Sequence, residues 1–249
     1  MNSKEEQRLL NATNVVADIL ELRGYPSVPR HTTFASLVRK YSPKPTNAKT
    51  LSEALSTTIH YKDGHKMQVR YILTETVTNA MLSFAFGITA SLQSNASENN
   101  VNDITDSFDK MRDELTENTY KQEIIVVCEH ITDTVQTFLL MAEERLGIRI
   151  WVFNLQAELQ RNPLHHVAVS EYRLVSANDV LSAGIHPEEL PVERLYCGVI
   201  QPKSRGKAPV GGPIAKFLGA QDGDVFEITR MTDNGLPMIG WRIVRKVGK

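Results

Sequence analysis

The stretch from Gly211 to Val244 restricts the fold most tightly. Pro213 has the fixed φ suited to the first helical position, and Gly219 is a good left-handed stop one short turn later, so Pro213 to Leu218 is predicted to be a two-turn helix. Such a helix is too short to stand alone. Asp222-Gly223 signals a turn, after which Val225, Phe226 and Ile228 open a strand. A second β-rich run, Met238 to Val244, follows across a linker containing Asn234-Gly235. The unit therefore reads helix, turn, strand, turn, strand.

Upstream, Leu9, Ala12, Val16, Ile19 and Leu20 fall on one face of a helix from about Lys4 to Arg23, stopped by Gly24. A second helix is expected from about Thr33, with Phe34, Leu37, Val38 and Tyr41 inward, before Pro43 and Pro45 end it. Thr50 with Glu53 reads as a capping box for a short helix reaching Thr57. Met67, Val69, Tyr71 and Leu73 alternate like a half-buried strand, while Val77 to Leu92 follows no single period. Residues 94 to 118 form an acidic polar insertion with one helix near Asp103 to Leu115. Glu123 to Cys128 and Ile148 to Phe153 are apolar runs of strand length. The helix between them is capped at Thr132 or Asp133 and stopped by Gly147, so the two strands should be parallel, joined by a right-handed crossover. The domain boundary falls at Arg161 to Pro163. Beyond it, Ser176 caps a helix running to Gly184, Tyr196 to Ile200 is a strand, and 201–212 is a basic loop carrying Lys203, Arg205 and Lys207.

The order of these residues resembles the fifth-largest shared subunit of eukaryotic nuclear RNA polymerases and its archaeal counterpart. The family's assembly domain carries a Leu-Pro, an Asp-Pro-Val-Ala helix ending in Leu-Gly or Phe-Gly, an Arg-Gly-Gln-Val-Val-Lys-Ile strand and a final Tyr-Arg. Here these stand as Leu190-Pro191, Gly212-Pro213-Ile214-Ala215, Leu218-Gly219, Asp222 to Ile228 and Trp241-Arg242. The Arg23-Gly24-Tyr25 junction resembles the end of the family's first helix, the strand-helix-strand matches its jaw domain, and His165-His166 echoes the lead into its assembly domain. The resemblance implies an α/β jaw domain with a mixed sheet at 1–162, followed by a small α+β assembly domain at 163–249. It departs at the loop after the second strand, where Asn154-Leu155-Gln156-Ala157-Glu158 offers no phosphate-binding Ser, Thr or cation for downstream DNA. Gly212, Glu227 and Trp241 replace the family's Asp, Lys and Tyr.

Composition sets the remaining bounds. The formal net charge is −1, so no global field draws the chain to nucleic acid or membrane. From Tyr196 onward there are nine Lys or Arg against four Asp or Glu, a basic end suited to a solvated face, an acidic partner or a nucleic-acid backbone. Met1 to Glu6 lacks the apolar core of a signal peptide, and no run reaches membrane length, which points to the cytosol or nucleus. Cys128 and Cys197 are then reduced thiols, and the sequons at Asn11 and Asn95 are chance matches.

Catalytic patterns are missing. Cys128, His130, His165, His166 and Cys197 lack the spacing of a metal site, Gly211-Gly212-Pro213 lacks the phosphate-loop spacing, and there is no Gly-x-Ser-x-Gly elbow. No Lys has Asp or Glu two positions before it, which removes the motif of restriction-type nucleases. The expectation is a non-catalytic subunit without cofactor or small-molecule substrate, nuclear, or nucleolar if dedicated to RNA polymerase I. Its expected partners are the polymerase's largest subunit and the chains beside it, met through Leu190, Pro191, Pro213, Ile214, Ala215, Leu218, Gly219, Arg230, Trp241 and Arg242. The helix from Pro213 would bury one side and offer the other, and an exposed edge in the terminal strands could be extended by the partner. An adaptor or nucleic-acid-binding protein using the same assembly domain is the other reading.

Overall fold

The computed structural model describes residues 2–26, 28–39, 41, 45, 47–60, 66–73, 122–129, 149–166, 169–195 and 213–246. The run 77–92, the acidic segment 94–118, the crossover helix at 132–146, the strand at 196–200 and the basic loop 201–212 lie outside them. The described residues have mixed α/β content, with two sheets that each combine parallel and antiparallel pairs. Their contacts divide the chain into two compact units.

The first unit contains helices α2 (Phe34–Val38) and α3 (Ala48–Leu55) and strands β1 (Thr57–His60), β2 (Lys66–Ile72), β3 (Gln122–Cys128) and β4 (Arg149–Asn154). The sheet order is β1-β2-β3-β4. The first pair is antiparallel and the other two are parallel, the β3–β4 pair as the sequence order predicted. Ile124 through Cys128 and Ile150 through Phe153 are buried without a break, so both faces of these strands are covered. The start of α3 differs from the sequence expectation. Asn47 is the cap: its side chain accepts the Thr50 N–H, and Thr50 Oγ1 accepts the Asn47 N–H. Thr50 therefore sits in the first turn, and Glu53 plays no part in the box. At the other end of α3, Ser56 Oγ and Ser52 Oγ accept the amides of Tyr71 and Leu73, both at 3.1 Å. These hydroxyls take over the β2 amides where β1 has run out.

The second unit gathers Arg8–Arg30 with the described residues of Glu158–Cys197 and Gln201–Lys249. This differs from the expected division at 162, because most of α1 (Ser3–Leu22) groups with the C-terminal half. Leu9, Ala12, Val16, Ile19 and Leu20 are buried as the periodicity required, and Leu10, Val15 and Ala17 are buried with them. The unit's sheet has strands β5 (Glu171–Val175), β6 (Val192–Leu195), β7 (Val225–Met231) and β8 (Pro237–Lys246) in the order β5-β7-β8-β6. Only β6 with β8 is parallel. Helix α4 (Ala177–Ser182) is capped by Ser176, whose hydroxyl accepts the Asp179 N–H. Strand β6 begins at Val192, immediately after Leu190-Pro191, four residues before the strand expected from Tyr196.

Helix α5 (Pro213–Leu218) is the two-turn helix the Pro and Gly predicted, with Gly219 at φ 69°. What completes it is remote in sequence. Arg23 donates from Nε to the Phe217 carbonyl at 3.2 Å and from a terminal nitrogen to the Lys216 carbonyl. Its guanidinium also lies so close to Gly219 that a Cβ there would stand 2.9 Å from Arg23 Nε. Gly219 is thus required twice, for its left-handed backbone and for the approach of Arg23. The Lys216 ammonium is itself buried on Glu158, 2.6 Å and 2.9 Å from its two oxygens.

Arg23→Ala leaves two helix-terminal carbonyls without their charged donor, and should lower stability to urea by about 1.5–3 kcal/mol. Arg23→Lys should recover only part of this, since an ammonium lacks the planar fork. The fragment 163–249, without Arg23 and Glu158, should show no cooperative urea transition under conditions where the full chain does.

Candidate functional site

The residues singled out in the sequence fall around the second unit's sheet. On one face, Val180 of α4 packs with Val225 of β7 and Ile243 of β8, and Val175, Ile185, Leu190 and Trp241 close around them. On the other face Phe226, Ile228 and Val244 are buried, and Tyr172 meets the Phe226 ring edge-on at 5.6 Å and 87°. Helix α5 packs beside β6 and the 3-10 turn Pro163–His165.

The expected docking residues divide between packed, half-buried and exposed positions. Leu190 and Trp241 are half-buried against the Val180 cluster. Ala215 and Leu218 are buried, as are Lys216 and Phe217 between them, so these four turn no exposed face outward; Ile214 is half-buried. Pro213 opens α5 and Gly219 closes it. Pro191 is exposed, and its carbonyl accepts the Ile243 N–H at 3.0 Å. Arg242 meets a carboxylate of its own chain, donating to Glu193 Oε2 at 2.9 Å. Arg230 is exposed and has no carboxylate partner among the described residues.

The exposed apolar surface lies elsewhere. Met231, Leu236, Met238 and Ile239 are each more than half exposed, and all belong to the distal end of the β7–β8 hairpin; Val192 and Leu181 are also exposed. Register explains the concentration. Strand β5 pairs with β7 only as far as Thr229, and β6 pairs with β8 only from Ile243. Beyond both points β7 and β8 continue as a two-stranded ribbon. Its end is fixed locally: Thr232 N–H and Oγ1 both donate to the Leu236 carbonyl, Thr232 Oγ1 accepts the Leu236 N–H, and Gly235 takes φ 73°. The sequence holds these residues as an apolar run bracketing a turn, but their exposure depends on where β5 and β6 stop.

Other candidate chemistry is sparse. The side chain of Asn154 accepts the amides of Gln156 and Ala157 and donates to the Glu129 carbonyl at 2.8 Å, so the loop after β4 is a closed turn without a cation. His165 and His166 are exposed, and no group of three or more metal-ligating side chains occurs among the described residues. Arg70 in β2 is half-buried, with Nη2 on Gln68 and Nε enclosed without an acceptor; burial lowers its pKa from the usual guanidinium value. No described helix is long and apolar enough to cross a membrane. No protein-family model matches the chain, and no curated protein matches it.

Two neighbouring substitutions should separate support from surface. Trp241→Ala removes a half-buried ring from the Val180 cluster and should lower the stability of the isolated chain by about 2–3 kcal/mol, below the full core value. Arg242→Ala breaks a part-buried ion pair, with Arg242 40% and Glu193 15% exposed, and should cost about 1 kcal/mol. Urea unfolding of both variants checks the difference.

Proposed function

We propose that this chain is a non-catalytic structural subunit of a nuclear DNA-dependent RNA polymerase. In this reading the first unit is a jaw-like α/β element near downstream DNA, and the second is the assembly element that docks on the largest subunit. The drift at Gly212, Glu227 and Trp241 suits a copy dedicated to RNA polymerase I, with a nucleolar location.

One observation carries the reading. The motif residues that resemble the assembly domain, together with the Arg-Gly-Tyr junction near the other end of the chain, belong to one compact unit with direct bonds between them. A chance likeness in two distant stretches gives no reason for Arg23 to close the helix that ends at Gly219. The catalytic site of the assembly would reside in other chains.

The test is purification of the tagged full chain from nuclear extract. A polymerase subunit should retain the largest subunit, identified by mass spectrometry, through a high-salt wash, and the isolated chain should not cleave DNA with divalent metal. Recovery without any polymerase chain after a low-salt wash would overturn the reading in favour of an adaptor. Arg242→Ala should still co-purify, because Arg242 already pairs with Glu193 of its own chain.

A further inference from the structure

The turn between β7 and β8 holds the only Asn-Gly pair in the sequence, Asn234-Gly235. In such a pair the glycine nitrogen reaches the asparagine amide carbon most freely, because no Cβ stands beside that nitrogen and the backbone can adopt the bend that attack requires. Asn234 is exposed, and its side chain makes no hydrogen bond among the described residues, whereas the side chains of Asn47, Asn154 and Asn162 are each held by bonds. A Cβ placed on Gly235 would meet nothing within 4 Å, so the space in which a ring would close is open. The turn nevertheless holds the nucleophile back. Gly235 N–H donates to the Thr232 carbonyl at 2.8 Å, with Gly235 at φ 73°, and Thr232 closes the loop on Leu236 through its own N–H and through Oγ1, which donates to the Leu236 carbonyl and accepts the Leu236 N–H. Attack therefore needs the turn to open, and an exposed loop does this at far less cost than the core of its unit. The Asp222-Gly223 pair is a contrast: Gly223 N–H donates to the carbonyl of buried Val244 at 2.9 Å, and Val244 N–H donates to the Asp224 carbonyl at 2.7 Å, so that nitrogen is released only when the packed part of the unit opens.

We propose that Asn234 is a site of spontaneous deamidation whose rate is set by the closure that Thr232 makes. Hydroxide takes the Gly235 amide proton, and the nitrogen attacks Asn234 Cγ. The bond from that nitrogen to Cγ forms, the Cγ–Nδ2 bond breaks, and Nδ2 takes a proton from water and leaves as ammonia. Water then opens the cyclic imide at either of its carbonyls, giving aspartate or isoaspartate. The balance is one water consumed and one ammonia released, with no change of oxidation state. Either product places a second carboxylate beside the exposed Asp233. The isoaspartyl product also routes the main chain through Cβ and so lengthens it by a methylene. A loop as short as 233–235 cannot absorb that length and keep the Gly235 N–H on the Thr232 carbonyl, so conversion loosens the end of the hairpin. The inference is independent of the polymerase reading, since it uses only the chemistry of the turn.

The experiment incubates the purified full chain at physiological temperature in neutral and in mildly alkaline buffer, and follows the peptide containing residue 234 by liquid chromatography and mass spectrometry. Wild type is compared with Thr232→Val, Thr232→Ser and Asn234→Gln, each checked for folding by circular dichroism, and with the same chains unfolded in urea. Expected is conversion of Asn234 to an acid that separates into aspartyl and isoaspartyl peptides, faster at higher hydroxide concentration and faster in urea than in the folded chain. Thr232→Val, which removes the Oγ1 closure, should raise the rate in native buffer about fivefold, the factor for one net hydrogen bond of about 1 kcal/mol, and should match wild type in urea. Thr232→Ser keeps the hydroxyl and should hold the wild-type rate, which tests the closure even if the valine variant is unfolded. Asn234→Gln should show no conversion, because its longer side chain closes a less accessible ring. If folded wild type gains no acid at Asn234 over a period in which the unfolded chain converts fully, the site is wrong. Equal rates for folded wild type and folded Thr232→Val would remove the role of Thr232, and an aspartyl product without isoaspartate would replace the imide by direct hydrolysis; either result overturns the proposal.

Discussion

The C-terminal unit depends on the contact between Arg23 and the last carbonyls of α5. A six-residue helix cannot persist by its own hydrogen bonds, because nearly all of its carbonyls are terminal. Two of those carbonyls receive the guanidinium of Arg23, one bond spanning 194 residues, and the next requirement, room for that guanidinium, is met by the missing side chain of Gly219. Lys216 then brings a buried ammonium, which would be costly unless it met a carboxylate, and Glu158 supplies one. One short helix thus joins the start of the chain, the segment after β4 and the terminal hairpin. The unit is discontinuous in sequence for this reason, and its long-range contacts must all close before any of them is worth much.

The sequence made the elements legible wherever local chemistry was enough. Pro213 and Gly219 bounded α5, Ser176 capped α4, and the unbroken apolar runs marked β3 and β4 as strands. Elements defined by their neighbours were not legible. Strand β1 is Thr-Thr-Ile-His, a half-polar edge whose identity comes from pairing with β2, and β5 is an exposed edge with charges at Glu171 and Arg173. Strand β6 follows Pro191 with a single exposed apolar residue, Val192, in its first half. Asn47 is hard to read as a cap because the pair Thr50 and Glu53 satisfies the same spacing rule three residues later.

The candidate site was legible in a different sense. Residues that agreed with the assembly-domain pattern did come together in one unit, but the agreement concerned the fold's internal needs. Ala215 and Leu218 are buried, Trp241 and Leu190 surround Val180, and Arg242 holds Glu193. A motif spread over distant positions records what must pack against what. It says less about which surface remains when packing is complete, since that depends on the lengths of neighbouring strands.

Strand length is what separates the two halves of the hairpin. From Val225 to Ile228, β7 is flanked by β5 and β8 and both its faces are covered, so Val225, Phe226 and Ile228 are almost wholly buried. Further on, the same strand carries Met231 into solvent, and β8 carries Met238 and Ile239 back. Among the described residues nothing in the packing calls for apolar residues there; polar side chains would keep the ribbon soluble and would pair across it equally well. The proximal hairpin is therefore explained by the fold, and the distal hairpin by whatever covers it.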